Sequence, residues 1–192
     1  MNKIKKAQTQ NPVLDIIKDR WSARSFSEKP ISEETMNTII EAASWSFSAN
    51  NEQPWRYAVA HKGTPLFEKF WDLLMGGNQP WCKNAAALVL SLGKKTYTSN
   101  GQPNGAMLHD VGSANMLLTL QANAFGIYTH VLGGYHAGRA AEEFQFEEDL
   151  VPVYMIALGY LDDSNKLEEP FKTREITPRS RKKLNEVLVD LK

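Results

Sequence analysis
One stripe of side chains constrains the fold more than any other feature of the chain. Met107, Val111, Ala114, Leu117, Leu118, Ala122 and Phe125 recur at helical spacing, and Gly126 follows them as a stop signal. A helix over Met107–Phe125 is roughly 28 Å long and apolar along one side. An apolar face of that length has to lie on another layer of structure. Four short apolar runs can supply that layer as strands: Trp55–His61, Ala85–Leu92, Ile127–Leu132 and Val153–Tyr160. The second reads as buried, the third as a strand or turn closed by Gly133-Gly134, and the last as central. Strands mixed with helical layers point to an α+β core.

The remaining helices are marked by their caps. Asn11-Pro12 opens a first helix with Val13, Leu14, Ile16 and Ile17 on its apolar face. Ser32 caps a second, with Met36, Ile39, Ile40, Ala43 and Phe47 in one row, and Thr64-Pro65 a third, with Phe67, Phe70, Trp71 and Leu74. Another helix is predicted near Arg139–Phe146. A final one is predicted over Arg179–Leu191, with Leu184, Val187, Leu188 and Leu191 inward. Arg20–Ser27 reads as extended, and 48–54, 93–105 and 161–178 as loops. A length of 192 residues and the lack of internal repeats suit a single domain over 1–192, with 1–10 flexible.

Composition narrows the function class. Lys plus Arg and Asp plus Glu are both 22, so no basic excess marks a nucleic-acid binder. Ala85–Leu90, an apolar run that none in the chain exceeds, falls far short of the roughly 20 residues of a membrane span. The basic N-terminus has no apolar segment behind it, so it does not read as a secretory signal. Cys82 is the single cysteine and can form neither an internal disulfide nor a cysteine-based zinc site. A cytoplasmic protein with no nucleic-acid or membrane partner is expected.

The familiar catalytic motifs are missing: no GxSxG, P-loop, HExxH or GxGxxG occurs. His61, His109, His130 and His136 lack metal-ligand spacing, so no metal site is expected. What stands out is a set of cationic and small polar residues in loops. In Arg20-Trp21-Ser22-Ala23-Arg24 an extended backbone puts Arg20, Ser22 and Arg24 on one face, with the two arginines about 13 Å apart. That is the reach from the phosphate of a mononucleotide to the far edge of its base. Lys172-Thr173-Arg174 pairs a point charge with a planar fork, a combination suited to a phosphate dianion. Ser48–Trp55 offers short amides that can meet the edge of a heterocycle, and Leu132-Gly133-Gly134 lets a backbone approach a ligand closely. Each segment taken alone also reads as an ordinary solvated turn or charged face.

Together and in order, these segments resemble the nitroreductase family of FMN-dependent oxidoreductases. RWSARSF is similar to the family's Arg-x-Ser-x-Arg-x-Phe stretch, and SFSANNEQPWRY to its Pro-Ser-x-x-Asn-x-Gln-Pro-Trp loop. The DVGSANMLLTLQANAFGI helix, the LGGY turn, the IALGY strand and the basic KTR segment follow in family order. Phe47 departs from the family's Pro, and Trp21 stands where a second basic residue is common. The resemblance implies a mostly antiparallel sheet flanked by helices in an interleaved homodimer, with FMN at the subunit interface. NADH or NADPH is the implied co-substrate, and an electron-poor small molecule such as a nitroaromatic or quinone the acceptor. It places Arg20, Ser22, Lys172 and Arg174 at the phosphate and ribityl chain, with Trp21 beside them, and Arg24 at the pyrimidine end, tuning the flavin. Phe47, Ser48, Asn51 and Gln53 come from the partner's loop, and Leu132, Gly133 and Gly134 bring backbone to the ring. A flavin-binding carrier or sensor without turnover is the alternative. The dimer has independent support, because the Met107–Phe125 stripe carries more apolar surface than a small sheet can cover.

Overall fold
The computed structural model describes residues 3–191. Helices α1 (Asp15–Asp19) and α2 (Glu33–Ser44) precede strand β1 (Trp55–His61). Helices α3 (Pro65–Asp72) and α4 (Gln79–Cys82) lead to β2 (Ala87–Lys94). Helix α5 (Met107–Ala124) runs into β3 (Ile127–Leu132), and α6 (Ala137–Phe144) precedes β4 (Leu150–Tyr160). Two short helices, α7 (Phe171–Ile176) and α8 (Leu184–Val187), follow. The strands form one antiparallel sheet in the order β1-β2-β4-β3.

The sheet is covered on both faces, which is why β2 and the second half of β4 are continuously buried, with Ser91 the one hydroxyl among their buried residues. Ala87, Val89, Ile156 and Leu158 face α2 and α5, where Ile39, Val111, Ala114 and Leu118 meet them. Leu88, Leu90, Met155 and Ala157 face the opposite layer, built from Phe67, Phe70 and Trp81. Of the α5 stripe, Met107, Val111, Ala114, Leu118 and Ala122 are buried as predicted and Leu117 is half-buried at its margin; Gly126, at φ +71°, ends the helix. Phe125 is the exception: as the C-terminal cap residue it turns outward and is exposed. Ser32 and Thr64 are genuine caps, accepting from Thr35 N–H at 3.2 Å and Phe67 N–H at 3.3 Å.

The ends of the chain depart from the predicted pattern. Asn11 does not open α1, which starts at Asp15; residues before it fold back so that Ala7 N–H bonds Lys18 O at 2.9 Å. Of the stretch expected to be flexible, residues 1 and 2 lie outside the described residues. Lys5 is buried and donates through Nζ to Arg174 O (2.7 Å) and Thr177 O (2.5 Å). The predicted helix over 179–191 shrinks to one turn, and Leu184, Val187, Leu188 and Leu191 point outward rather than inward. Both faces of the sheet are already covered, and Arg179, bonded to the carbonyls of Lys18 and Arg20, leads the tail away from it.

Candidate flavin-type binding groove
The segment after α1 lies along β3 at the sheet edge, with Ser22 bridged to Thr129 in parallel. Its alternation is as predicted: Trp21, Ala23 and Ser25 are buried, while Arg20, Ser22 and Arg24 face outward. Phe26 anchors it, lying so close to β4 that a Cβ on Gly159 would sit 2.7 Å from the ring.

Two adjoining cavities open beside Arg20 and Ser22 and share Arg20 and Met116, whereas Arg24 lines neither. One, of about 420 Å³, is walled by Arg20, Arg179, Ser180 and Arg181. The other, of about 140 Å³, is lined by Ser22, Asn115, Thr119, Thr129, Val131 and Tyr154. Burial and then the neighbouring Arg179 and Arg181 lower the Arg20 pKa from its ordinary value. Three guanidinium groups held together this way favour an anion, and Arg presents planar donor forks to a phosphate. The expected convergence of Lys172 and Arg174 on Arg20 is not found. Both sit on α7, and the cation whose field Arg174 reaches is Arg24. The reason is local: Lys5 bonds the end of α7, and Glu175 of α7 bonds the backbone of Arg24 and Ser25. Arg179 and Arg181 escaped the sequence reading because they were assigned to a terminal helix. Their cation-x-cation spacing repeats that of KTR and was the available signal.

At the other end of the groove Tyr154 lies against Gly133, 3.5 Å from where a Cβ would stand. Among the described residues, neither Gly133 N–H nor Gly134 N–H finds an acceptor. Asn115 is buried and accepts at Oδ1 from Tyr57 Oη (3.0 Å) and Ser91 Oγ (3.1 Å), yet its Nδ2 has no partner among the described residues. Trp21 and Leu132 are 4% and 3% exposed, so their side chains belong to the core and only their backbones can meet a ligand. Arg24 stacks over Trp81 with its guanidinium carbon 5.7 Å from the ring centroid. Beneath, Trp81 lies 4.6 Å from His130, whose Nδ1 is 3.0 Å from Ala23 O. Burial, reinforced by Arg24, lowers the His130 pKa to about 4, so the ring is neutral at pH 7 and donates to Ala23.

The Ser48–Gln53 loop stands apart. Asn50, Asn51 and Gln53 all have φ between 52° and 55°, a left-handed region that costs non-glycine residues energy. Ser48 Oγ accepts from Gln53 N–H at 3.0 Å, and the buried Asp110 carboxylate accepts from Ala49 N–H at 3.0 Å. Phe47 is 68% exposed and rests on His109. No hydrogen bond among the described residues joins this loop to Arg20–Arg24 or to Gly133-Gly134. No group of three or more His, Cys, Asp or Glu among the described residues could hold a metal ion.

The class of protein is an antiparallel α+β sandwich with an arginine-rich groove along one sheet edge, a groove whose donors suit a phosphate-bearing ligand. A model of the nitroreductase family matches residues 17–80. A solved structure described as an oxidoreductase containing FMN is 33% identical, with a TM-score of 0.90 over 95% of this chain and 93% of that one. A protein of Archaeoglobus fulgidus with the provisional name NADH dehydrogenase/NAD(P)H nitroreductase is 28% identical over 160 residues, 81% of this chain and 89% of its own. A nitroreductase family protein from Streptococcus pneumoniae shares the fold, at 19% identity and a TM-score of 0.75 over 92% of this chain and 98% of its own. The chain belongs to the nitroreductase family.

Proposed function
We propose that the protein is an FMN-dependent oxidoreductase that uses NADH or NADPH to reduce an electron-poor acceptor, a nitroaromatic, a quinone or a similar molecule. The observation that carries this reading is the pair of adjoining cavities that run from Arg20, Arg179 and Arg181 to Tyr154, the side chain that lies against Gly133. Its donors suit the group: guanidinium forks for a phosphate, then the Ser22 hydroxyl and the orphaned Asn115 amide along the groove, then backbone N–H groups for a heteroaromatic ring.

When bound, FMN would supply the two-electron redox chemistry that couples nicotinamide oxidation to reduction of the acceptor in a ping-pong cycle. Arg20, Arg179 and Arg181 would hold the phosphate. Gly133 and Gly134 would offer backbone N–H groups to the ring. By the family resemblance, Arg24 would supply positive charge toward the pyrimidine end and stabilise the reduced form. No side-chain acid or base is required for the hydride step.

The site needs two chains in this reading. The inner cavity, at about 140 Å³, falls below the usual 300–1,000 Å³ of a ligand pocket. The Ser48–Gln53 loop is tied to Asp110 and, among the described residues, makes no hydrogen bond to the residues of its own groove. Across a two-fold axis each loop closes the other chain's groove, with Ser48, Asn51 and Gln53 against the ring. Among the described residues no helix is long and apolar enough to cross a membrane. We place the protein in the cytoplasm, where its single buried thiol, Cys82, stays reduced.

Anaerobic titration of the FMN-loaded protein with NADH and with NADPH tests the activity. Loss of the visible flavin absorbance with at least one nicotinamide, and its return on adding a quinone, is expected. A protein that binds FMN but is not bleached by either is a carrier or sensor.

A further inference from the structure
We propose that Glu175 is a positioning residue for the flavin site. Its carboxylate sets where the Arg24 guanidinium stands and how much of its charge reaches a bound ring. The proposal rests on the FMN reading above.

Glu175 is 2% exposed, an unusual place for a carboxylate. Arg24 N–H donates to both its oxygens at 3.1 Å, and Ser25 N–H donates to Oε1 at 3.0 Å. A carboxylate that receives backbone N–H bonds fixes the chain that supplies them, because a buried carboxylate left unpaired is strongly unfavourable. Here that chain is the turn that carries Arg24 out over Trp81. Four further hydrogen bonds tighten the arrangement. Lys5 Nζ bonds the carbonyls of Arg174 and Thr177 on either side of Glu175, Ser25 Oγ donates to Asp163 O at 2.8 Å, and Asp162 N–H bonds Ser25 O at 3.0 Å.

The electrostatics point the same way. Glu175 and Arg24 attract one another in a half-dry environment, where charges are weakly screened. Burial raises the Glu175 pKa, whereas the two N–H bonds, Arg24 and Lys5 oppose that rise. Opposite charge beside Arg24 reduces the field that the guanidinium presents outward. The carboxylate thereby limits how strongly the site favours reduced over oxidised FMN, a ratio set jointly by Arg24 and Glu175.

The test compares wild type, Glu175→Gln, Arg24→Ala and the double variant, each loaded with FMN, by affinity for the oxidised cofactor and by midpoint potential. Glu175→Gln is expected to raise the preference for reduced FMN about tenfold, a shift of about +30 mV for a two-electron couple. Arg24→Ala shifts the potential the other way, and in its background the Glu175→Gln shift shrinks to less than half. An equal Glu175→Gln shift with and without Arg24, or none in either, overturns the proposal. Glu175→Asp keeps the charge but withdraws it by one methylene. It is expected to leave the potential near wild type, to weaken FMN binding several-fold, and to speed hydrogen exchange of the Arg24 and Ser25 amides about tenfold while α5 is unaffected. Unchanged exchange at those two amides overturns the proposal even if Glu175→Gln does not fold. Failure of the wild type itself to bind FMN removes the flavin reading and this proposal with it, a result distinct from any confined to the variants.

Discussion

At the residue scale the account turns on which cations share a cavity. Replacing Arg20 by Ala removes the residue common to both halves of the groove. It should cost roughly 1.5–3 kcal/mol of FMN affinity, the range for a charge-assisted bond. Arg181→Ala should cost more than Lys172→Ala, and equilibrium dialysis of the three variants checks the order. Equal losses for Arg181 and Lys172 would return the KTR segment to the phosphate. The RWSAR alternation was legible because it depends only on an extended backbone. The Arg20–Arg179 neighbourhood was not, because it joins residues at opposite ends of the chain and no local pattern encodes it. His130 supplies a second residue-scale prediction. Its folded pKa of about 4 lies below the ordinary 6.5. Between those values the unfolded chain binds more protons than the folded one, so stability falls as pH drops through that window. From pH 7 to pH 5, urea unfolding of the wild type should lose about 2 kcal/mol more than that of His130→Gln. Parallel pH profiles would mean that His130 is solvated.

At the element scale the groove depends on how the Arg20–Phe26 segment is laid on the sheet. Phe26 sits over Gly159 with no room for a methyl group, its ring atoms 2.7 and 2.8 Å from the Cβ position. Gly159→Ala should therefore destabilise the fold by about 1–3 kcal/mol and weaken FMN binding as the segment is displaced. A variant with wild-type unfolding and wild-type affinity would show that Phe26 does not anchor the segment. The larger elements were readable from sequence for a physical reason. β2 and β4 carry long buried stretches because both sheet faces are covered, β1 and β3 are rich in aromatic and β-branched residues, and α2, α3 and α5 carry caps or stops that act through their own side chains and backbone. The short helices α4 and α7 were not readable. Four to six residues are too few to display a period, and tertiary contacts hold them: Trp81 in the core for α4, and Lys5 with Glu175 for α7. The terminal helix was over-read for the converse reason, since Leu184, Val187, Leu188 and Leu191 have helical spacing but no surface of this chain to lie on.

At the scale of the whole molecule, one chain leaves too much apolar surface uncovered. Trp45 is 80% exposed, and Leu108, Met116, Phe125, Val131 and Tyr154 are exposed with it. Ile16, Ala42, Trp45, Leu117, Leu120 and Ala124 line an apolar groove of about 500 Å³ between α1, α2 and α5. Patches of this kind mark interaction surfaces, and large interleaved dimers bury about 2,000–5,000 Å² or more. The central claim is that the flavin site is complete only when two chains meet. Sedimentation velocity at low micromolar concentration, followed at the visible absorbance of flavin, tests it most directly. The account predicts a single flavin-bearing boundary at twice 21.6 kDa, with no flavin on smaller species. Flavin travelling with a species of 21.6 kDa, or sedimenting free of the protein, would contradict it.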